Sequence, residues 1–298
     1  MDEDDLQDLS GFRPHEARQR LEKEASCSIK RGGLAADLQR MGEWPGMCDI
    51  FALSAGVNYT AQQYLPIFAE KGKRNMSGWG IGFFRDNHAL VERSSERVYE
   101  GDQVHESFQR LARVVDSRII ISHISCPLSG GSHAAHNHPF SLPFLDHEWL
   151  FVHVGIVEGI ENYQTRNEPR IDVDAYPARI FEYLRDQLVS YLRYTPYASM
   201  GRSLVKSIRT MLGEYPGRYS FFLANESVLF GFSNFRQLML LRELESFGNS
   251  LVLTSIKEGL SDKEWTAINP EENALGKLIA VAGPDILYLG DIPETSLI

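Results

Sequence analysis

The chain has 298 residues, enough for one large domain or two small ones around a sizeable core. Thirty Lys and Arg against forty Asp and Glu give a net charge of −10, and no Lys/Arg block of the kind that neutralises phosphates occurs, which argues against nucleic acid as a partner. Three cysteines, Cys27, Cys48 and Cys126, cannot build a disulfide framework or a paired zinc motif, while an acidic start and the lack of a long apolar run argue against a secretory signal or a membrane span, so a reducing, cytoplasmic setting is expected.

Residues 1–46 are charged and polar, with Arg18-Gln19-Arg20-Leu21-Glu22-Lys23-Glu24 as the one helix-like piece and Gly32-Gly33 and Pro45-Gly46 as breakers. Residues 1–47 therefore read as an extension. Three accounts stand, in this order: an upstream start codon chosen in place of Met47, a propeptide removed to expose Cys48, or a permanent tail. From Cys48 the pattern changes to short apolar strands at 48–57, 80–84, 89–93, 118–125 and 149–154, rich in Ile, Val, Phe and Trp and bounded by Gly, Asn, Asp and Pro.

Helical periodicity interrupts the strands. Residues 103–117 place Phe108, Leu111, Ala112 and Val115 on one stripe, residues 178–194 do so with Ile180, Leu184, Leu188 and Tyr191, and residues 203–213 with Leu204, Ile208, Met211 and Leu212, where Gly213 reads as the stop. Strands return at 219–224, 227–232, 237–242, 250–256, 277–282 and 286–289, with a hairpin turn at Asn225-Glu226. Strand blocks separated by long amphipathic helices predict an α+β layered domain, because each sheet and each helix stripe must bury a face.

The chemistry centres on Met47-Cys48. A cysteine left first in the chain carries a thiol and an α-amino group of pKa about 8, so one residue supplies nucleophile and base. The plainer alternative is a buried strand cysteine acting as a small hydrophobe. The company it keeps bears on that choice. Ser77-Gly78-Trp79-Gly80-Ile81-Gly82-Phe83, Ile121-Ser122-His123-Ile124-Ser125, Asn137-His138-Pro139-Phe140, Phe151-Val152-His153-Val154-Gly155, Asp172-Val173-Asp174-Ala175 and the segment from Thr254-Ser255-Ile256 to Trp265 follow in order. Together with Met47-Cys48 they resemble the motifs of the class II glutamine amidotransferases, N-terminal nucleophile hydrolases, and most closely the small single-domain type.

That resemblance implies a four-layer αββα sandwich with antiparallel sheets over residues 48–298. It implies an amidohydrolase that attacks a glutamine or γ-glutamyl amide through a Cys48 thioester, needs no cofactor, and hands ammonia, where it is transferred, to a separate subunit. It assigns Gly155 as a backbone oxyanion donor and Asp174 as the acid that receives the substrate α-ammonium, with Ser125, His138 and Trp79 at the other substrate positions. His123, His138 and His153 fall where the family's histidines are structural, and Trp79 is also readable as a core residue.

Two positions depart from the family pattern. Val154 stands where the family has its oxyanion asparagine, and an isopropyl group cannot donate a hydrogen bond. Ser125 stands where an arginine clamps the substrate carboxylate, and a hydroxyl lacks the charged fork. Arg118, Asn137 and His136 are candidates to replace the lost donors. The rival expectation is a catalytically impaired member that keeps the pocket for binding or regulation. His133-x-x-His136-x-His138 has metal-ligand spacing, but a solvated loop and a structural histidine account for it, and no metal is expected.

Overall fold

A computed structural model describes residues 48–74, 78–125, 138–173, 175–194, 199–243 and 249–294. The chain divides into Met1–Pro45 and Gly46–Ile298, and every described residue lies in the second unit. That unit is built on β1 (Asp49–Tyr59), which is apolar on both sides of its pleat: Phe51, Leu53 and Ala55 face one way and Ile50 and Ala52 the other, all buried. Burial on both faces produces the near-continuous apolar run seen in the sequence.

β1 sits inside a seven-stranded sheet with β2 (Trp79–Arg85), β3 (His88–Ser94), β6 (Ser117–Ile124), β11 (Leu238–Glu243), β12 (Ser250–Thr254) and β13 (Thr266–Ile268), in the order β13-β11-β12-β1-β6-β2-β3. A six-stranded sheet, β15-β14-β10-β9-β8-β7, holds β7 (Phe140–Phe144), β8 (His147–Val157), β9 (Gly217–Ala224), β10 (Leu229–Ser233), β14 (Gly276–Ala282) and β15 (Asp285–Ile292). Every pairing in both sheets is antiparallel. β4 (Tyr99–Glu100) and β5 (Gln103–Val104) form a separate small hairpin.

Three apolar clusters define the layers. Ile50, Ala52, Ile121, Leu150, Val152, Phe222, Leu251 and Leu253 join the inner faces of the two sheets. Phe51, Leu53, Trp79, Ile81, Phe68 and Phe108 join the outer face of the first sheet to α1 (Leu65–Glu70) and α2 (Glu106–Val114). Phe151, Phe221, Leu223, Ile180, Leu184 and Ile208 join the outer face of the second sheet to α3 (Tyr176–Tyr194) and α4 (Met200–Glu214). The order is helix, sheet, sheet, helix, the expected α+β sandwich.

Differences from the sequence reading have local causes. The helix expected over 103–117 is trimmed at its start, because Gln103–Val104 pairs with Tyr99–Glu100 and the His105 ring accepts from the Ser107 N–H as an N-cap. At the other end Ser117 already belongs to β6. Gly213 does not stop α4, which runs on to Glu214 and closes with the Tyr215 N–H donating to the Met211 carbonyl. β7 escapes prediction because of Pro143. It is an edge strand where proline is tolerated, and Phe140, Leu142 and Phe144 face inward while Ser141 and Pro143 face out. α1 and β13 are too short to show a period, and neither was predicted.

The two glycines of Gly80-Ile81-Gly82 have a steric purpose. A Cβ on Gly80 would lie 2.0 Å from the His138 carbonyl oxygen, and one on Gly82 would crowd Pro139 and Leu150 at 3.0 Å. β2 is thus bare on its inner face so that His138-Pro139 can lie against it. Gly80→Ala should therefore cost more than about 2 kcal/mol, whereas Gly213→Ala, which meets nothing within 4 Å in a helix, should be neutral or stabilise by about 0.5–1 kcal/mol; urea unfolding of the two variants checks the contrast.

Candidate active site at the head of the first strand

Cys48 stands one residue before β1, half-buried, and packs against the cluster between the two sheets. It is in no disulfide. Asp49 pairs with Ile124 of β6, so the same register carried one residue on sets Cys48 opposite Ser125. Ser125 is buried; its N–H donates to the Gly78 carbonyl at 2.8 Å, and its hydroxyl lies 3.2 Å from His123 Nδ1. The His123 and His138 rings stand 4.4 Å apart, and His138 meets Phe140 edge-on. The structure thus gathers Cys48, Ser125, His123 and His138 at one end of the space between the sheets.

Val154 and Gly155 enter from β8. Val154 is buried, 5% exposed, in the same inter-sheet cluster against which Cys48 packs. Gly155 has φ +147°, and a Cβ there would sit 1.8 Å from the Arg218 carbonyl oxygen, so no other residue fits without moving β9. Its carbonyl accepts the Tyr176 hydroxyl at 2.7 Å. His153 points the other way, parallel to Phe151 and edge-on to Tyr176 and Tyr219 in the helix-facing layer. Trp79 stands level with Ile124 and Asp49 at this end, but its ring lies on the outer face of β2, edge-on to Phe108 of α2, and not in the space between the sheets. Asp174, Asn137, His136 and His133 lie outside the described residues.

A polar network at the head of β1 has no counterpart in the motif reading. Asp49 Oδ1 accepts from Arg236 Nη2 at 2.7 Å and from Ser255 Oγ at 2.9 Å, and Ser255 Oγ in turn accepts the Ile50 N–H at 3.0 Å. The Arg236 backbone N–H donates to Ser220 Oγ, its carbonyl accepts the Ser233 hydroxyl, and Ser220 and Ser233 lie 2.7 Å apart. Ser220 is the cross-strand partner of Val154. The sequence carries two separate signals, the carboxylate of Asp49 inside an otherwise apolar strand and Ser255 in the Thr254-Ser255-Ile256 segment, but not their pairing; the partners of Asp49 are 187 and 206 positions away, beyond any local pattern.

Residues 47–255, more than half of the chain, match the profile of the family described as glutamine amidotransferases class-II. The chain belongs to the class-II glutamine amidotransferases. Over 121 residues it is 30% identical to a γ-glutamyl-hercynylcysteine sulfoxide hydrolase of Mycolicibacterium smegmatis, a match that covers 40% of this chain and 51% of the relative, so only about half of that hydrolase is spanned. An uncharacterised protein of Methanocaldococcus jannaschii is 25% identical over 118 residues, 40% of this chain and 32% of the relative. Among solved structures, a predicted glutamine amidotransferase from Pseudomonas aeruginosa superposes with a TM-score of 0.54 at 17% identity, covering 81% of this chain and all of that one. The glutamine phosphoribosylpyrophosphate amidotransferase of B. subtilis does so with a TM-score of 0.56 at 12% identity, covering 83% and 50%. At these identities the structures speak for the fold.

In this family member the three buried histidines are neutral. Burial, the first cause for each, drives His123 and His153 to about 3, and repulsion between the two rings, were both protonated, adds to the effect on His153. Burial first, then the repulsion that a second positive charge would meet near His123, His153 and Arg93, holds His138 well below 6.5. Among the described residues, Nε2 of His123 and of His138 has no hydrogen-bond partner, and no group of three or more His, Cys, Asp or Glu has the geometry of a metal site. No helix of the described residues is long and apolar enough to cross a membrane.

The histidines give a pH dependence of fixed sign. In the unfolded chain imidazole titrates near 6.5, so as the pH falls the unfolded state takes up protons first, and stability that is complete above pH about 6.5 drains between there and about 3. Each such histidine removes up to about 1.4 kcal/mol per pH unit inside that window. Urea midpoints measured from pH 8 down to 5 should fall accordingly, and His153→Phe, which deletes one titrating ring but keeps the stack on Phe151, should make the fall shallower.

Proposed function

We propose that this family member is an amidohydrolase that cleaves a γ-glutamyl amide through a Cys48 thioester, once residues 1–47 are absent and Cys48 carries a free α-amino group. The observation that supports it best is the position of Cys48: directly before the central strand, half-buried, at the end of the inter-sheet space next to Ser125 and the Val154 cluster. The α-amino group takes the thiol proton, the thiolate attacks the amide carbon, and the C–N bond breaks as the amine leaves with a proton. Water then opens the thioester to a carboxylate and restores the thiol. The Gly155 N–H is one oxyanion donor; Val154 supplies none. Asp174 receives the substrate ammonium. We place the reaction in the cytoplasm, with no cofactor, and where ammonia is transferred the acceptor is a separate subunit.

The substrate class follows from what the site lacks. Without a fixed arginine at position 125, free glutamine loses a charge-assisted contact worth about 1.5–3 kcal/mol. A γ-glutamyl amide with a larger leaving portion regains that energy from apolar contact with Val154, and the relative that carries the name of a γ-glutamyl compound hydrolase is in keeping with such a substrate. A second reading rests on the same valine. Its full burial among apolar neighbours is what a pocket retained for binding alone would also show.

Kinetics with protein whose intact mass shows it to begin at Cys48 separates the two. Cys48→Ala should abolish release of amine from γ-glutamyl amides and leave binding in place. Val154→Asn, which restores a donor, should raise kcat with free glutamine by about 10²- to 10³-fold, and Ser125→Arg should tighten glutamine by about ten- to a hundredfold in calorimetry. No turnover with any γ-glutamyl amide, and none restored by the two substitutions together, would leave the binding reading.

A further inference from the structure

Asp49 is a carboxylate on the strand that follows the nucleophile position, buried to 5% exposure. A buried carboxylate must be paired and hydrogen-bonded or it neutralises. Here it is met on one oxygen by the Arg236 guanidinium and by the Ser255 hydroxyl. Arg236 is itself fixed from the second sheet, since its backbone N–H is held by Ser220 and its carbonyl by Ser233. The Ser233 proton goes to that carbonyl, so in the 2.7 Å Ser220–Ser233 contact Ser220 is the donor, and Ser220 is the cross-strand neighbour of Val154. On the other side, Ser255 and Thr254 close on the Ile50 backbone: the Ser255 N–H and the Thr254 hydroxyl both donate to its carbonyl at 3.0 Å, and its N–H goes to Ser255 Oγ. A continuous polar chain therefore runs from the Val154 row of one sheet to the head of β1 in the other.

We propose that Asp49 and Arg236, keyed by Ser255, are the positioning residues of Cys48: they pin the start of β1 across the two sheets, and as an ion pair they hold the electrostatic potential at the thiol near balance. The proposal rests on Cys48 being the nucleophile only for its purpose, since the thiol can be interrogated without turnover. The geometry gives it a sign. Removing the Asp49 charge leaves the Arg236 cation less compensated at the residue next to Cys48 and favours thiolate; removing the Arg236 charge leaves the Asp49 carboxylate there less compensated and disfavours it. Among the described residues, the charged or titratable side chains on the neighbouring elements include Arg93, Arg218, Lys257, Tyr176 and the neutral His123 and His138, and they are the same in every variant.

The test is the rate at which iodoacetamide alkylates Cys48 in the full chain as a function of pH, read on the Cys48 peptide by mass spectrometry so that Cys27 and Cys126 do not interfere. At pH 7, Asp49→Asn should alkylate about three- to tenfold faster than wild type and Arg236→Gln about three- to tenfold slower, with the rate-against-pH curve displaced in opposite directions. The double variant should return to within about twofold of wild type. Arg236→Lys, which keeps the cation, should stay near wild type and carries the test if Arg236→Gln does not fold. A merely structural contact would loosen β1 in both single variants and speed alkylation in both at every pH. That outcome, or unchanged rates in both, overturns the proposal. Failure of amide hydrolysis in the form beginning at Cys48 would count against the enzymatic reading and leave the opposite displacements intact.

Discussion

The structure depends on β1 being buried on both faces. A strand in the middle of a seven-stranded sheet has its backbone polar groups satisfied by β6 and β12, and its side chains must then be apolar on both sides, toward α1 and α2 on one and toward the second sheet on the other. That double burial fixes register, because a slip of one residue would exchange the large side chains Phe51 and Leu53 with the smaller Ala52 and Ser54. It also fixes where Cys48 is: one residue before the strand pairing begins, against the inter-sheet cluster, at the head of a strand that cannot shift. A reactive group gains precision from such a rigid support.

Around that end the polar groups are handled in two ways. His123, His138 and His153 are buried with no carboxylate paired to them among the described residues and stay neutral, which is the cheaper state for an imidazole in an apolar layer. The Asp49 carboxylate is instead met by the Arg236 guanidinium and the Ser255 hydroxyl. The close approach of His138-Pro139 to β2 is permitted by two glycines, so the Gly80-Ile81-Gly82 and His138-Pro139-Phe140 motifs are halves of one steric fit. Gly155 is explained in the same terms: the Arg218 carbonyl occupies the space of its missing side chain.

The two positions at which the sequence differs from the motifs it resembles, Val154 and Ser125, both lie toward the inner face. Val154 extends the apolar inter-sheet layer almost to the thiol, and Ser125 puts a hydroxyl, already engaged with His123, where the family has a cation. Both changes exchange charge and hydrogen-bonding capacity for apolar or neutral surface, and both leave the backbone geometry of the sandwich in place.

The sequence by itself determined the layered α+β class, the antiparallel strands, the three amphipathic helices and the family, because periodicity, turn residues and ordered motifs are local or stand in fixed order along the chain. It located Cys48, Ser125, Val154 and Gly155 as positions, and showed from their chemistry what they can and cannot donate. Short or proline-bearing elements such as α1, β7 and β13 were invisible, since too few residues carry a period. Only the tertiary structure decided which residues face the space between the sheets: Trp79 turned toward a helix while its neighbour Gly80 made room for His138, and His153 turned away from Val154. Only it joined Asp49 to Arg236 and Ser255, because the pairing comes from two sheets closing on each other and bringing together residues about two hundred positions apart, a distance over which no local pattern of side chains is written.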